Sequence, residues 1–402
     1  MKYDVVIVGA GPAGSTAANF LSKKGIKTLL IDKNTFPRDK PCGGGITNNA
    51  LKKYKYIKEH GLINSYSYSG IFYSSSLKYK VEIQKNEPII GMISRKKFDH
   101  GLVNIAIDSG ANFLHGKKVI DIKILKDNAK IILDNGLTID SQIVIGADGV
   151  WSTITKKMGL GQHNKIFGVS IFEEYPTSTK TIDKYFTDKR IVHGHIRILG
   201  LAGYGWVFPK KECINIGVVD YISSKSKLDD KKNLKNIYRK YIQILKESKI
   251  IPNDIKINKL RGAVLPYCPI KKTFTDRVII CGDAAGLINP LTGEGIDYAM
   301  YSGEIAADVI SKSLENGNVS SQFLSKYEKK WKSDFGKNIL LLSHASREWG
   351  KGEEHLIKLA SEDKKMADVF FEIGVGNSSI KKYKWKLASR LIYLKFKNLF
   401  KN

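Results

Sequence analysis

The chain has 402 residues, 42% of them hydrophobic, and carries a formal net charge of +27 at pH 7. That length supports a large core and two or three domains, and that charge either attracts anionic partners or simply coats the surface with lysine. No apolar run approaches the roughly 20 residues of a membrane-spanning helix, Cys42, Cys213, Cys268 and Cys281 lie too far apart for metal-like pairing, and no recognition motif directs the charge to nucleic acid.

Scattered cysteines fit a reducing cytoplasm, and immediate entry into a strand without a charged leader argues against secretion. That strand, Val5 to Val8, runs into Gly9-Ala10-Gly11-Pro12-Ala13-Gly14 and a helix from Ser15 to Lys24. Gly9 suits the tight turn, Gly11 lets backbone approach a pyrophosphate, and Gly14 permits close helix packing, while Pro12 and Ala13 open a helix whose N–H groups attract an anion. A second strand, Lys27 to Ile31, ends at Asp32, about 20 residues on, where a carboxylate accepts from an adenosine ribose; Lys33 follows it. This predicts a dinucleotide site, and leaves NAD and FAD both open.

The glycines and prolines of Phe36 to Gly45 predict a loop whose backbone something approaches, with Cys42, Gly43 and Gly44 accessible to a ligand. Helix is expected over Ile46 to Gly61, strands over Gly70 to Ile83, and helix from Ser94 to Gly110. In that helix Arg95 opposes the dipole, and an anionic partner would explain it. Strands follow at Val119 to Ile124, Lys130 to Leu133 and Leu137 to Ile139, with Asn135-Gly136 as a hairpin turn. Ser141 to Ile145 then leads to Gly146-Ala147-Asp148-Gly149-Val150-Trp151-Ser152, a turn at a strand end where open α/β sheets bind ligands.

Phe167 to Tyr175, Lys184 to Thr187, Ile191 to Ile198, Tyr204 to Pro209 and Cys213 to Tyr221 read as strands without intervening helices, which marks an inserted antiparallel sheet. An amphipathic helix, Leu228 to Glu247, follows. The strand-then-Gly-Asp pattern returns at Arg277 to Gly286, with Gly282 and Asp283, and continues through Pro290, Gly293, Gly295 and Ile296 into a helix over Asp297 to Lys312. The expected fold is therefore α/β: a Rossmann-like dinucleotide-binding domain (1–70, 94–162 and 276–320), an inserted antiparallel β-sheet domain (71–93 and 163–275) and a C-terminal helical region (321–402). Aromatics and lysines interleave over Ile380 to Asn402. They suit a helix at a membrane interface or one docked on the core.

A resemblance chooses between the two dinucleotides and makes the inserted sheet the substrate domain. Gly9 to Gly14 with Asp32, Gly146 to Ser152, and Cys281 to Gly295 together resemble the FAD-dependent fold of the p-hydroxybenzoate hydroxylase type over most of residues 1–310. Pro41-Cys42-Gly43-Gly44 and Tyr204-Gly205-Trp206-Val207-Phe208-Pro209 with Gly217 narrow the resemblance to the geranylgeranyl reductase family. One departure is Gly217-Val218-Val219, which lacks that family's second glycine. The resemblance implies FAD as cofactor, Asp283 near the ribityl-pyrophosphate, Gly293 to Ile296 against the isoalloxazine, and Arg95 at the phosphate-sugar portion. Asp148 and Gly149 join that set.

By the same resemblance Tyr204, Trp206, Phe208 and Pro209 face a prenyl-lipid substrate, an archaeal-type ether phospholipid or a prenyl diphosphate. Alternation alone allows this aromatic face to be plain core. The implied activity is hydrogenation of isoprenoid C=C bonds by reduced flavin. NAD(P)H or a ferredoxin, the latter an electron-donor protein, serves as external reductant. Cys42 is the candidate catalytic residue, although an ordinary thiol is a weak acid for an alkene. The expected location is cytoplasmic, peripheral at the inner face of an anionic membrane, with no nucleic-acid partner. The alternatives are a flavin monooxygenase of the same fold and a non-catalytic lipid binder.

Overall fold

A computed structural model describes residues 1–161, 166–223, 233–348 and 352–374, together with 383, 385, 389 and 390. The chain forms two compact units, one from residues 1–40, 95–165 and 265–340, the other from 41–94, 166–264 and 341 onward.

In the first unit, strands Val278–Ile280, Thr138–Gly146, Lys2–Val8, Thr28–Asp32 and Asn112–His115 lie side by side in that order, all parallel. Val5 to Ile7 and Ile143 to Ile145 are wholly buried, as expected of a parallel sheet covered on both faces. Helix Pro12–Ser22 packs on helix Ile296–Glu315, and small residues permit it: a methyl group on Gly303 would lie 2.3 Å from the Ala13 carbonyl oxygen. The Asn135-Gly136 turn forms, with Gly136 at φ +81°, and joins Ala129–Leu133 to Thr138–Gly146.

The second unit is built on a seven-stranded sheet in the order Arg261–Pro266, Ile166–Pro176, Cys213–Ser223, Tyr204–Pro209, Val192–Ile196, Ser69–Tyr73 and Lys80–Gln84. One pairing departs from the expected antiparallel pattern, since Val192–Ile196 runs parallel to Ser69–Tyr73. Helix Leu234–Glu247 covers one face, burying Tyr238, Tyr241, Ile242 and Leu245 with Val207, Ile214, Ile216 and Val218.

Several expectations shift. Lys184 to Thr187 is not a strand: Thr179–Phe186 is a helix, capped by Ser178 and burying Ile182 and Phe186. The expected helix over Ile46 to Gly61 begins as a strand, Gly45–Thr47, and continues as helices Asn48–Lys53 and Tyr56–Glu59. Because Gly45–Thr47 pairs with Ile90–Met92, residues 41–70 belong with the second unit rather than with the cofactor domain. The C-terminal helices do not form one region either. Tyr327 and Trp331 enter the first core, whereas Ile357, Met366 and Phe371 pack with Val81 and Ile83 of the second. The expected interfacial helix over 380–402 lies almost wholly outside the described residues. Of those described, Arg390 is ion-paired with Asp363.

Candidate functional site

In the first unit, the three glycine-bearing turns meet. A methyl group on Gly9, at φ +102°, would sit 2.2 Å from the Ala147 carbonyl oxygen, and one on Gly14 would sit 1.9 Å from the Gly9 carbonyl oxygen. Gly282, at φ +59°, lies against Ala13 and Ala299, and its N–H donates to Ser302 Oγ at 3.0 Å. These glycines are required because backbone or a neighbouring helix fills the space that a side chain would need.

The Asp32 carboxylate joins this turn to the second strand, accepting from the Ala10 N–H at 2.9 Å and the Asn34 N–H at 2.9 Å. Lys33 beside it is exposed. Helix Pro12–Ser22 has Gly11 as N-cap with no side-chain cap, so its N-terminus keeps its positive partial charge for a ligand. Gly11 itself is open, the nearest atom to an added methyl being Arg38 Nη2 at 3.8 Å.

Arg95 finds an anion inside the protein. Its Nε and Nη2 each donate to Asp99, one helical turn on, at 2.8 Å, and Arg38 Nη1 approaches the same fully buried carboxylate at 2.9 Å. Burial would raise the Asp99 carboxyl, but Arg95 and then Arg38 outweigh it and hold the group below the usual range. Lys40 pairs with Asp283 at 3.7 Å. Three cations thus share two carboxylates. The buried Arg38 Nη1, although ion-paired, makes no hydrogen bond among the described residues. An open helix N-terminus under an excess of guanidinium charge fits the pyrophosphate of a bound dinucleotide. Arg38 is the residue that reading the sequence missed, since nothing in a Pro-Arg-Asp-Lys loop says which cation turns back over Gly11.

Asp148 turns inward. Its carboxylate accepts from Ser152 Oγ and from the N–H groups of Thr153 and Ile154, capping helix Thr153–Lys157. Burial pushes this carboxyl up, and those hydrogen bonds only partly offset it. Gly149, at φ +82°, shapes the turn. In the third motif, Pro290 is buried, Gly293 takes φ +67°, and Gly295 is the uncapped N-cap of helix Ile296–Glu315, with Ile296 buried. Glu294 accepts from the Asp297 N–H at 2.8 Å. Burial, then the negative charges of Asp297 and Asp283, push its carboxyl up.

In the second unit, Tyr204, Trp206 and Phe208 form a continuous row, with ring centroids 5.9 and 6.4 Å apart. The intervening Gly205 and Val207 face the other way, towards Tyr241 and the helix-covered core. The row therefore lies on the opposite face, and Pro209 ends its strand. Gly217 makes room for it: a methyl group there would lie 2.1 Å from the Trp206 ring. The single glycine at 217 is the one the tryptophan needs.

Against this face lies the Cys42-Gly43-Gly44 loop. Gly43 would carry a side chain into the Phe208 ring at 3.1 Å and Trp206 Nε1 at 3.2 Å, and Gly44, at φ +80°, faces the Ile93 carbonyl oxygen and Lys210 Nζ. The Gly44 N–H donates to Cys42 Sγ at 3.3 Å. Burial, then the nearby Cys42, pushes the Tyr204 hydroxyl up.

Residues 2–339 match the FAD binding domain family. The chain is 32% identical to the digeranylgeranylglycerophospholipid reductase of Methanocaldococcus jannaschii, over 82% of each chain, and 30% identical to that of Methanococcus vannielii, over 84% of each. Among solved structures it is similar to a geranylgeranyl bacteriochlorophyll reductase-like protein from Thermoplasma acidophilum, with a TM-score of 0.79, 24% identity, and coverage of 95% of this chain and 98% of that one.

Proposed function

Because the chain belongs to the FAD binding domain family and, within it, to the geranylgeranyl reductases, we propose that it hydrogenates C=C bonds of geranylgeranyl chains in an archaeal-type ether phospholipid or a prenyl diphosphate. FAD, once reduced by an external donor such as NAD(P)H or a ferredoxin, supplies the hydride for one alkene carbon, and a proton goes to the other. In this reading the first unit anchors the cofactor. Gly9 to Gly14, Arg38 and the helix N-terminus meet its pyrophosphate, Asp32 its ribose, and Asp283 with Gly293 to Ile296 the remainder.

The observation that carries the substrate class is the aromatic row Tyr204, Trp206 and Phe208, which lies on the sheet face opposite helix Leu234–Glu247, with Trp206 and Phe208 against the Cys42 loop. An apolar, water-excluding wall of this kind suits a long isoprenoid. Cys42 is the candidate group for shaping the site or relaying the proton. No helix among the described residues is long and apolar enough to cross a membrane. A chain of this charge meets its lipid peripherally, at an anionic surface.

Anaerobic incubation of the reduced protein with digeranylgeranyl ether phospholipid and with geranylgeranyl diphosphate tests this. Whole hydrogen pairs added to one of these lipids, read by mass, are the expected result. Absence of any mass gain from flavin-loaded, reduced protein, with an oxygen-dependent hydroxylated product instead, would overturn the proposal in favour of monooxygenation.

A further inference from the structure

We propose that Asn215 is a positioning residue for the Cys42-Gly43-Gly44 loop, and that Trp206 acts through it as well as by its ring. Asn215 is wholly buried on strand Cys213–Ser223, directly opposite Phe208 in the register. Its Oδ1 accepts from Trp206 Nε1 at 2.8 Å, while its Nδ2 donates to the Cys42 carbonyl oxygen and to Glu174 Oε1, each at 3.3 Å.

Chemistry fixes the direction of this amide. An indole N–H only donates, so the atom facing it must be the amide oxygen. A backbone carbonyl and an ionised carboxylate only accept, so the amide nitrogen must face both. No flipped arrangement satisfies all three partners. Glu174 is kept ionised to play its part: burial would raise its carboxyl, but Lys210, Asn215 and Arg261 together hold it below the usual range. Lys210, only 2% exposed, meets Glu174 Oε1 at 2.5 Å and Arg261 meets Oε2 at 3.1 Å. The same Lys210 ammonium lies against Gly44.

The loop is therefore gripped at consecutive residues. Asn215 holds the Cys42 carbonyl, the Trp206 and Phe208 rings lie against Gly43, and Lys210 flanks Gly44. Glu174 links the two polar grips. A largely buried polar network paired in this way favours one geometry, and here the geometry favoured is that of the loop bearing Cys42.

This inference rests on the proposed reductase activity only for its consequence, not for its geometry, so the test reads geometry first. In the FAD-loaded full chain, Asn215→Asp keeps the shape of the side chain but replaces the donor to Cys42 with an acceptor. Trp206→Phe keeps an aromatic ring but removes the N–H that orients the amide. Hydrogen exchange at the Gly44 amide is expected to speed up about tenfold in both, the factor by which losing one hydrogen bond of ordinary net worth favours a local opening. Protection along Tyr204–Pro209 and Cys213–Ser223 stays as in the wild type.

Unchanged Gly44 exchange in both variants overturns the proposal. An equal loss of protection along the two strands also overturns it, because Asn215 would then brace the sheet rather than the loop. With prenyl lipid, Asn215→Asp should lower kcat and leave KM near the wild-type value. If the wild type itself fails to hydrogenate prenyl lipid while Gly44 exchange still responds, the functional reading fails and the positioning role stands.

Discussion

Both units carry glycine-rich turns, and Gly43 of the second is required for a different reason from Gly9 and Gly14 of the first. In the first unit the obstacles are backbone, with the Ala147 carbonyl facing Gly9 and the Gly9 carbonyl facing Gly14. In the second, Gly43 is confined by the Phe208 and Trp206 rings, which come from strand Tyr204–Pro209. Backbone cannot step aside, whereas side chains can give by a few tenths of an ångström. The cofactor cradle is thus fixed by backbone, Ala147 against Gly9 and Gly9 against Gly14, whereas Gly43 is confined by side chains of a strand more than a hundred positions away.

The sharpest way to break this comparison is Gly14→Ala. An added methyl 1.9 Å from a carbonyl oxygen should cost about 3 kcal/mol or more and abolish flavin retention, read as flavin absorbance per mole of purified protein and as the urea midpoint. Normal yellow protein would show that the turn yields as readily as the second unit's loop.

Acid should separate the units by sign. His193 and His195 are buried in the second sheet, His195 stacked on Tyr73 at 4.5 Å and bonded to the Tyr241 hydroxyl at 2.8 Å. Burial depresses His193 from 6.5 to about 4 and His195 to about 3. Between those values and 6.5 the unfolded chain binds protons that the folded imidazoles refuse. Stability is therefore whole above about pH 6.5 and falls as pH drops towards 4, by about 3 kcal/mol for His193 alone. Glu294 acts oppositely in the first unit. Its raised carboxyl binds a proton in the folded state first, which strengthens that unit as pH falls towards the ordinary carboxylate range. Peptide-resolved hydrogen exchange at pH 7 and pH 5 should show the second sheet loosening first. The paired substitutions His193→Gln and His195→Gln should flatten that response, and a second sheet as protected at pH 5 as at pH 7 would remove the linkage.

Cys42→Ala tests whether the second unit's loop does chemistry. We expect turnover on prenyl lipid to fall about a hundredfold, in the lower range of effects from removing a proton-transfer group, with flavin still bound and reducible. Wild-type turnover in Cys42→Ala and Cys42→Ser would take the thiol out of the reaction. Smallest is Gly43→Ala, which meets ring atoms rather than backbone. A cost of about 1–2 kcal/mol in the urea midpoint, with flavin retention unchanged, would sharpen the contrast with Gly14→Ala.

Much of the cofactor unit was legible because its signals are local. A β-branched run, a glycine turn and a helix start are read within some fifteen residues, and Asp32 follows at a spacing set by one βαβ unit. The ambiguities came wherever one residue type has two uses. A carboxylate after a strand is a ligand contact or a helix cap, and Asp148 is occupied as a cap. An arginine in a first helical turn seeks an anion, and Arg95 has Asp99 four residues on. The strand expected at Lys184 to Thr187 failed because the Ser178 cap and the burial of Ile182 and Phe186 favour helix.

The sequence by itself determined the parallel-strand framework, the dinucleotide turn and, through Pro41 to Gly44 and Tyr204 to Pro209, the family. Only the tertiary structure decided that Arg38 lies over Gly11, that the Tyr204-Trp206-Phe208 row lies on the sheet face opposite helix Leu234–Glu247, and that Asn215 and Lys210 contact the Cys42 loop. The physical reason is range. Backbone conformation and periodicity are written in neighbouring residues, whereas a hydrogen bond between positions 42 and 215 exists only once the fold has brought the two together.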